Sequence, residues 1–516
     1  MGNVVTTVRS ADPGQVKVRP QLHVESQQSQ KKKVLFVTPE FADLVKVGGL
    51  GDVSSSLPRA LAAYHDIRVV IPGYSQVMDS GHPIRIVGKV EGRAAIPPCR
   101  IGRIDMADGL IIYVLICPEL YEREGTPYAD EQGRDWPDNH IRFARLGLAA
   151  ADLASGHAGI SWCPQLVHAN DWPAGLASAY MALRGDRTPS VFTIHNLAYQ
   201  GVCDAACLPE LGIPQQAFVP EGLEFYGKLS FLKAGIVYAS HITTVSKTYA
   251  HEITTAEAGC GLDGLLRHRA AEGRLTGITN GIDQSWEPGS DPHLIEGFTD
   301  LEADGKAEHA RYIEATFGLD SEDGPLFVVV SRLVHQKGID LTWEIAGDIV
   351  AAGGRIAVIG RGERALEAEM VELQERYPGR IGVHIGFNEL DARRMYAGSD
   401  FLLMPSRFEP CGLSQMYAQR FGSLPIAHRT GGLVDTIEDG VTGFLFSDAT
   451  ADSYRDAVMR AIRIYQHPEL MNAMRRRAMM SPMYWAESVK PYDELYRGLV
   501  RERVPQALAA DVGRRS

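Results

Sequence analysis

Two loops of the sequence contain the residue types that bind phosphate groups. The first reads KVGGLGDV from Lys46, and the second carries Arg332 and Lys337, five residues apart. Glycines allow backbone N–H groups to approach an anion closely, while Arg and Lys supply counter-charge. The two cations could therefore bind a diphosphate and stabilise the negative charge that develops as it departs. A tight structural turn and isolated surface cations are the alternatives. Neither loop matches G-x-G-x-x-G or a Walker motif, so nothing supports dinucleotide binding or NTP hydrolysis.

A third group of polar residues follows the hydrophobic run at 401–404. Glu409 stands in the segment SRFEPCGLSQMY, where a lone carboxylate could accept hydrogen bonds from vicinal sugar hydroxyls. A helix-start acid stabilised by the helix dipole is the alternative for Glu409. One strand–helix unit later, Thr430 and Gly431 lie in RTGGL, a second glycine turn that leads into a helix. Two adjacent loops that favour anions indicate a phosphate site more strongly than either does alone.

Polar side chains also end two hydrophobic runs in the first half. These are His168 and Asp171 in VHANDW, and His195 and Asn196 in FTIHN. Either histidine could be a hydrogen-bonded core residue, and this is the favoured interpretation for His168. No His-x-x-x-His, HExxH or C-x-x-C spacing indicates a metal site, and no G-x-S-x-G motif indicates a serine nucleophile.

Short β-branched runs alternate with amphipathic helical patterns along the chain. This alternation predicts parallel α/β sheets, in which ligands bind beyond the carboxyl ends of the strands. The predicted strands are 34–38, 67–71, 110–117, 165–167, 190–194 and 242–245 in the first half, and 326–330, 356–359, 383–385, 401–404, 424–427 and 443–446 in the second. Helices are predicted at 341–352 and 365–376, closed by Gly353-Gly354 and Pro378-Gly379.

The two series of strands predict two Rossmann-like, doubly wound domains of similar size that face a central cleft. The polar stretch 283–323, which has little β signal, separates them. The predicted organisation is a disordered tail at 1–32, an N-terminal domain at 33–278, a C-terminal domain at 279–480, a closing helix at 481–500 and a second tail at 501–516.

Composition excludes several classes of protein. The chain has 516 residues, 45% of them hydrophobic, and a net charge of −12, which argues against a nucleic-acid partner. No apolar run approaches the roughly 18 residues that span a bilayer, so no membrane partner is expected. The first 32 residues lack the apolar stretch of a signal peptide, and a myristoylation pattern at Gly2 or a plastid transit peptide is the weaker alternative to a disordered tail. Seven cysteines without close pairing motifs fit a reduced, cytoplasmic compartment.

The motifs in their order resemble those of bacterial glycogen synthases, the family shared with plant starch synthases. They are KVGGLGDV, HANDW, FTIHNLAYQG, SFLKAGI, TVSKTYAHEI, GLDGLL, ITNGID, SRLVHQKG, SRFEPCGLSQMY and RTGGLVDTIEDG. The resemblance extends from Lys33 to Leu499, and its specificity lies in the whole set rather than in any one motif.

This resemblance implies a GT-B glucosyltransferase that retains the α configuration. It would transfer glucose from ADP-glucose to the non-reducing end of an α-1,4-glucan such as glycogen. It implies no cofactor and no metal, because the family lacks the Asp-x-Asp of metal-dependent transferases. The departing phosphate can take the acceptor's proton, so no dedicated side-chain base is needed. Oligomeric state is not predicted.

The resemblance also implies roles for individual residues. Arg332 and Lys337 would hold the diphosphate and stabilise it as leaving group, Glu409 would bind glucose hydroxyls, and His195 would lie near the glucose 6-hydroxyl and the reacting carbon. Asp171 would lie near the acceptor. The remaining residues implied to bind substrate are Lys46, Gly48, Gly49, Asn196, Cys411, Gly412, Leu413, Thr430 and Gly431.

The sequence departs from the family's pattern at a few positions. Tyr417 stands where related transferases carry a second glutamate, as in glycogen synthases generally. His428 replaces a common Arg beside the phosphate loop, a change that could weaken nucleotide binding. Asn170 replaces a frequent His, a change that concerns acceptor binding. Pro491 within the closing helix predicts a kink.

Three other functions are consistent with parts of the sequence. A related GT-B enzyme could use UDP-glucose or another acceptor, such as sucrose or a small alcohol. A catalytically silent glucan-binding protein is a second alternative, although it need not retain Lys46, Arg332, Lys337 and Glu409. A nicotinamide dehydrogenase is disfavoured because G-x-G-x-x-G is missing.

Overall fold

The computed structural model describes residues 31–300 and 305–502. Of the tails predicted at 1–32 and 501–516, residues 1–30 and 503–516 lie outside the described residues, whereas 501 and 502 belong to the last helix. The strands are β1 (Lys33–Val37), β2 (Asp66–Pro72), β3 (Arg85–Val90), β4 (Cys99–Asp105), β5 (Ile111–Ile116), β6 (Leu166–Asn170), β7 (Ser190–Ile194), β8 (Val202–Asp204), β9 (Glu224–Phe225), β10 (Lys228–Ser230), β11 (His241–Thr244), β12 (Leu275–Gly277), β13 (Leu326–Val330), β14 (Arg355–Gly360), β15 (Ile381–Ile385), β16 (Phe401–Met404), β17 (Leu424–His428) and β18 (Phe444–Phe446).

Helices connect most of these strands, as parallel pairing requires. They are α1 (Gly49–Ala62), α2 (Ser75–Met78), α3 (Pro118–Tyr121), α4 (Asn139–Ala154), α5 (Asp171–Ala174), α6 (Leu176–Leu183), α7 (Phe231–Tyr238), α8 (Lys247–Glu252), α9 (Asp263–Ala271), α10 (Gly305–Phe317), α11 (Ile339–Ala351), α12 (Arg364–Arg376), α13 (Glu389–Gly398), α14 (Ser414–Arg420), α15 (Gly431–Thr436), α16 (Ala451–Tyr465), α17 (Pro468–Met479) and α18 (Trp485–Glu502). No helix within 31–300 or 305–502 is both long and apolar enough to cross a membrane.

The strands of the first half form a sheet in the order β12-β11-β7-β6-β1-β2-β5-β4-β3. Pairing is parallel from β12 to β5, whereas β4 and β3 add an antiparallel edge. A small antiparallel sheet, β8-β10-β9, lies outside it. Sequence analysis missed β3, β4 and the small sheet, because these strands are either partly exposed and charged or only two to three residues long.

The strands of the second half form a six-stranded sheet in the order β15-β14-β13-β16-β17-β18, with parallel pairing throughout. In β13 all five residues are buried, and alternate side chains join different hydrophobic cores. Phe327 and Val329 belong to one core, while Val328 and Val330 belong to the other. Helices therefore cover both faces of this sheet, which explains its continuous hydrophobic runs.

Both sheets reverse their strand order at an internal point. The reversal lies between β1 and β6 in the first sheet and between β13 and β16 in the second. At such points the loops after neighbouring strands diverge and leave a crevice at the carboxyl ends. The predicted doubly wound α/β fold is confirmed. These four loops carry most of the predicted site residues, whereas His195 and Asn196 follow β7, and Thr430 and Gly431 follow β17.

The last helix, α18, returns from the second half to the first. It packs against α1 and β6, and Tyr496 in it forms a hydrogen bond of 2.5 Å to the buried imidazole of His168. The helix continues through Pro491, which lies on its exposed side. The predicted boundary at 278 and 279 falls just after β12, and the domain limits stay a prediction.

Candidate active site

A cleft of about 1100 Å³ lies between the two sheets at the carboxyl ends of their strands. Residues of both halves line it. Among the predicted site residues, those on the cleft wall are Lys46, Gly48, Gly49, Asp171, His195, Asn196, Arg332, Lys337, Glu409, Cys411, Gly412 and Leu413. Thr430 and Gly431 are the two predicted residues that do not line it.

A carboxylate that sequence analysis overlooked forms hydrogen bonds with the backbone of the first glycine loop. Glu40, three residues after β1, accepts hydrogen bonds from the backbone N–H groups of Val47 and Gly48 at 2.7 and 3.0 Å. Its other oxygen accepts from the Tyr128 hydroxyl at 2.6 Å, and burial raises the pKa of Glu40. The Gly48 N–H is therefore already occupied, which leaves the N-terminus of α1, beginning at Gly49, as the part of this loop that can face an anion.

Lys46 in the same loop is paired within the first half. Its ammonium group lies 2.7 Å from a carboxylate oxygen of Asp52, on the first turn of α1. Burial raises the pKa of Asp52, and Lys46 opposes that rise. Lys46 therefore reaches the cleft as part of an ion pair rather than as a free cation.

On the same wall of the cleft, the loops after β6 and β7 place two groups with strongly shifted pKa values. Asp171 has a backbone φ of +58°, a conformation uncommon for a non-glycine residue. Burial raises its pKa to about 8, although the backbone N–H groups of Trp172, His195 and Asn196 oppose the shift. Burial lowers the pKa of His195 to about 3. Near neutral pH, Asp171 is therefore mostly protonated and His195 uncharged.

Asn170 explains how His195 is oriented. The Asn170 amide nitrogen donates to the Val37 carbonyl at 3.1 Å, so its Oδ1 faces His195 Nε2, also at 3.1 Å. Nε2–H then donates to Asn170, which leaves Nδ1 as a hydrogen-bond acceptor. The departure from the family's pattern at position 170 thus fixes the tautomer of His195. His168, by contrast, is fully buried between Thr193 and Tyr496, which confirms it as a core histidine.

The loop after β13 places Arg332 and Lys337 on the second wall of the cleft, in different electrostatic settings. Arg332 is exposed, and it forms no ion pair with any residue in 31–300 or 305–502. Lys337 lies 2.5 Å from the carboxylate of Glu409, and both side chains are largely buried. Gly338 follows with φ +62°, where a Cβ would lie 2.0 Å from the Pro405 carbonyl. The β13 and β16 loops are therefore in direct backbone contact.

Glu409 has two further supports. The Ser406 hydroxyl donates to the Glu409 oxygen that also meets Lys337, at 2.9 Å. His428 Nδ1 lies 3.0 Å from the Ser406 carbonyl oxygen and does not line the cleft. The His428 departure thus stabilises the loop that carries Glu409 instead of adding charge to a phosphate site.

The segment after Glu409 approaches the first half closely. Gly412 adopts φ +74°, and Leu413 extends its Cδ1 to 3.7 Å from the position of a Cβ on Gly49. Burial raises the pKa of the Cys411 thiol to about 12, so it is uncharged. Tyr417 stacks on Trp286 with ring centroids 3.6 Å apart, and this pair forms part of the cleft wall.

Thr430 and Gly431 donate to a carboxylate from the other half. Glu252, at the end of α8, accepts from the Gly431 N–H at 2.9 Å and from the Thr430 hydroxyl at 3.2 Å. Gly431 itself has φ +45°, and a Cβ there would lie 1.9 Å from the Glu409 carbonyl. The two donors that sequence analysis assigned to a phosphate are thus occupied by an anionic side chain in this structure.

Two more contacts join the halves beside Glu252. Asp435, in α15, accepts from the backbone N–H groups of Lys247 and Thr248 at 2.6 and 3.0 Å and so caps the N-terminus of α8. The Ser246 hydroxyl donates to the Pro410 carbonyl at 2.5 Å. These contacts bring the edges of the cleft together on one side.

One cluster with metal-ligand chemistry lies outside these loops. His140, Cys207 and Glu210 place an imidazole nitrogen, a sulfur and a carboxylate oxygen within 4.8 Å of one another. Sequence analysis missed it because His140 is far from Cys207 and Glu210 along the chain and the three residues match no metal-binding motif.

Comparison with known proteins places the chain in a family. Residues 33–268 match the starch synthase catalytic domain, and residues 314–479 match glycosyl transferases group 1. A glycogen synthase of Pseudomonas fluorescens is 66% identical over 477 residues, covering 92% of this chain and 91% of that protein. Another, from Pseudomonas paraeruginosa, is 60% identical over 506 residues, covering 98% and 99%. The chain belongs to the glycogen synthase family.

Solved structures agree with this membership. The catalytic domain of starch synthase IV from Arabidopsis thaliana, bound to ADP and acarbose, has a TM-score of 0.82 and 29% identity, covering 91% of this chain and all of that one. Sucrose-phosphate synthase from Thermosynechococcus elongatus shares the fold with a TM-score of 0.57 at 16% identity. The chain is therefore a glycosyltransferase of the GT-B fold, as the motifs of this glycogen synthase family member predicted.

Proposed function

We propose that the protein elongates glycogen by transferring glucose from ADP-glucose to the non-reducing end of an α-1,4-glucan, with retention of the α configuration. One observation carries the proposal: Arg332, Lys337 and Glu409 face Asp171 and His195 across a cleft at the reversal points of both sheets. Support for the donor comes from the starch synthase IV catalytic domain, which was solved with ADP.

The second half would bind the leaving diphosphate. The exposed guanidinium of Arg332 offers planar N–H donors to phosphate oxygens, and Lys337, from the same loop, also lines the cleft. As the glycosyl–phosphate bond breaks, negative charge accumulates on the diphosphate. Preorganised cations stabilise that charge more in the transition state than in the ground state, and this difference accelerates the reaction.

Glu409 would bind the transferred sugar. Its carboxylate is held by Lys337 and Ser406 but retains acceptor capacity for glucose hydroxyls. Because Lys337 contacts this carboxylate and would also contact the diphosphate, it would couple placement of the sugar to placement of the leaving group.

The proposed reaction needs no side-chain base from the first half, because the departing phosphate takes the acceptor's proton. Asp171, with a pKa raised to about 8 by burial, is mostly protonated at neutral pH and so is not a ready nucleophile. His195, with a pKa lowered to about 3 by burial, stays uncharged and can accept a hydrogen bond from a sugar hydroxyl through Nδ1. Both groups would position substrates within the cleft.

We also propose that the protein is cytoplasmic. All seven cysteines are free thiols, as expected in a reducing compartment.

The test is incorporation of labelled glucose into glycogen from ADP-glucose and from UDP-glucose, each with and without EDTA. We expect faster transfer from ADP-glucose and no loss on chelation, because fixed cations replace a divalent metal as phosphate counter-charge. Faster transfer from UDP-glucose would contradict the donor, and no transfer from either would indicate a silent glucan-binding protein. Loss with EDTA that added Mg²⁺ restores would contradict the charge argument. NMR of the new anomeric proton tests retention.

A further inference from the structure

The cluster of His140, Cys207 and Glu210 combines the ligand types that zinc prefers. His140 Nε2 lies 3.0 Å from a Glu210 carboxylate oxygen, and all three ligand atoms lie within 4.8 Å of one another. Ligands of a tetrahedral zinc ion are about 3.3–3.8 Å apart, so these atoms need to move by only about 1 Å. Imidazole and thiolate ligands favour zinc over magnesium or calcium, which bind oxygen.

A second thiol lies beside the cluster. Cys203 is within hydrogen-bonding reach of Cys207, and both are free thiols. Cys203 belongs to β8, and the turn of 3₁₀-helix at Ala205–Cys207 follows it directly. Cys203 can therefore approach as a fourth ligand, which would complete a tetrahedral site.

The backbone segments that carry these ligands are fixed by their own hydrogen bonds. The Asp204 side chain accepts from the Ala206 N–H at 2.8 Å and caps the helical turn that presents Cys207. The Glu210 carbonyl accepts from the Ala95 N–H at 2.9 Å. His140 lies in the first turn of α4, beside Asn139, whose amide donates to the Tyr128 carbonyl at 2.8 Å. A metal here would therefore bind to a partly preorganised site.

Local charge and exposure also favour a cation. Glu210 and the nearby Asp204 carry negative charge, and the ion pair that Glu210 forms among the described residues is with His140. The Glu210 side chain is 52% exposed and that of His140 is 17% exposed, so an ion can enter from solvent.

We propose that His140, Cys207 and Glu210, completed by Cys203, form a zinc site at the edge of the cleft. His140 and Cys203 both line the cleft, so zinc would tie the 202–210 segment to the start of α4 and restrain that wall. The site uses none of the residues assigned to glucosyl transfer, and the inference does not depend on the proposed function.

The test is equilibrium binding of zinc to the full-length, chelator-treated protein under a non-metal-binding reductant, measured by competition with a chromophoric chelator. We expect one zinc per chain, with affinity at least tenfold lower in Cys207→Ser and in His140→Gln. Cys163→Ser, which removes an exposed thiol elsewhere, is the matched control and should bind zinc normally. Unchanged affinity in Cys207→Ser, or loss in Cys163→Ser, would overturn the site.

Cobalt identifies the ligands independently of affinity. The cobalt-substituted protein should absorb through thiolate-to-metal charge transfer, and Cys203→Ser should lose about half of that intensity because one of two thiolates is removed. No charge-transfer absorption in the wild type would overturn the proposal, and unchanged intensity in Cys203→Ser would exclude Cys203 as the fourth ligand. Circular dichroism of each variant establishes that it is folded.

Discussion

Arg332→Ala is the sharpest test of the leaving-group assignment, and the structure makes it sharper than Lys337→Ala. The sequence alone predicts that either truncation damages catalysis rather than folding, because both residues lie in a polar loop after a strand. In the structure, Lys337 is paired at 2.5 Å with the buried Glu409, so its removal leaves that carboxylate with Ser406 alone. We therefore expect a fold-neutral effect for Arg332→Ala only, whereas Lys337→Ala should also lower the melting temperature.

The expected changes in stability and in kcat/KM follow from the exposure of Arg332 and from the negative charge of the diphosphate that it would contact. Because Arg332 is exposed and makes no ion pair with a described residue, truncation should change the free energy of unfolding by no more than about 0.5 kcal/mol. Loss of a donor to a developing anion raises the barrier by about 2–4 kcal/mol, which corresponds to about 30- to 900-fold in kcat/KM. Arg332→Lys should recover part of this loss, since it restores the charge without the planar donors.

The assay is kcat/KM for ADP-glucose with saturating glycogen, alongside thermal denaturation. Arg376→Ala removes one exposed charge from α12, a helix of the second half, at a position away from the cleft. This variant is the control for net charge. A kcat/KM within a few-fold of wild type in folded Arg332→Ala would refute the assignment. A fall of equal size in Arg376→Ala would show that overall charge, and not the loop, is responsible.

Three further perturbations test other parts of the site. Glu409→Gln should lower kcat/KM by about 10- to 150-fold, because it loses a charge-assisted hydrogen bond worth about 1.5–3 kcal/mol. The affinity for ADP, measured by calorimetry, should be nearly unchanged. If turnover survives while ADP affinity collapses, Glu409 supports the fold and not the sugar. Glu252→Gln should tighten ADP binding about fivefold, because removing a negative charge near a phosphate relieves about 1 kcal/mol of repulsion; weaker binding would mean that Glu252 supports the bound state. Burial lowers the pKa of His168 to about 3 in the folded state, whereas in the unfolded chain His168 has its ordinary pKa of 6.5. Between these two values only the unfolded chain binds a proton there, so the free energy of unfolding should fall as pH drops from 6.5 towards 3. Because pH 5 lies 1.5 pH units below 6.5, the loss of stability there is about 2 kcal/mol, measured by urea unfolding. His168→Gln should show a smaller decrease between pH 7 and 5, and an equal decrease would contradict the assignment.

The sequence alone was sufficient to predict those strands of both sheets that consist of buried hydrophobic residues. Hydrophobic runs such as 326–330 and 401–404 became strands with the predicted limits, because a parallel sheet covered on both faces requires continuous hydrophobic residues. The same reading located the loops that carry Lys46, Arg332 and Glu409, since ligands bind where parallel strands end. Partly exposed edge strands such as β3 lack that hydrophobic signal and were missed.

Only the tertiary structure decided which groups in those loops meet. Lys337 pairs with Glu409 across 72 residues of sequence, and Gly431 donates to Glu252 across 179. Such pairings depend on strand order and on how the two halves approach each other, which local patterns do not encode. The protonation of Asp171 likewise follows from burial, since its sequence neighbours contain nothing that would raise its pKa to about 8. Sequence therefore specified the residues that could do the chemistry, and packing determined which of them are charged, paired or free to bind.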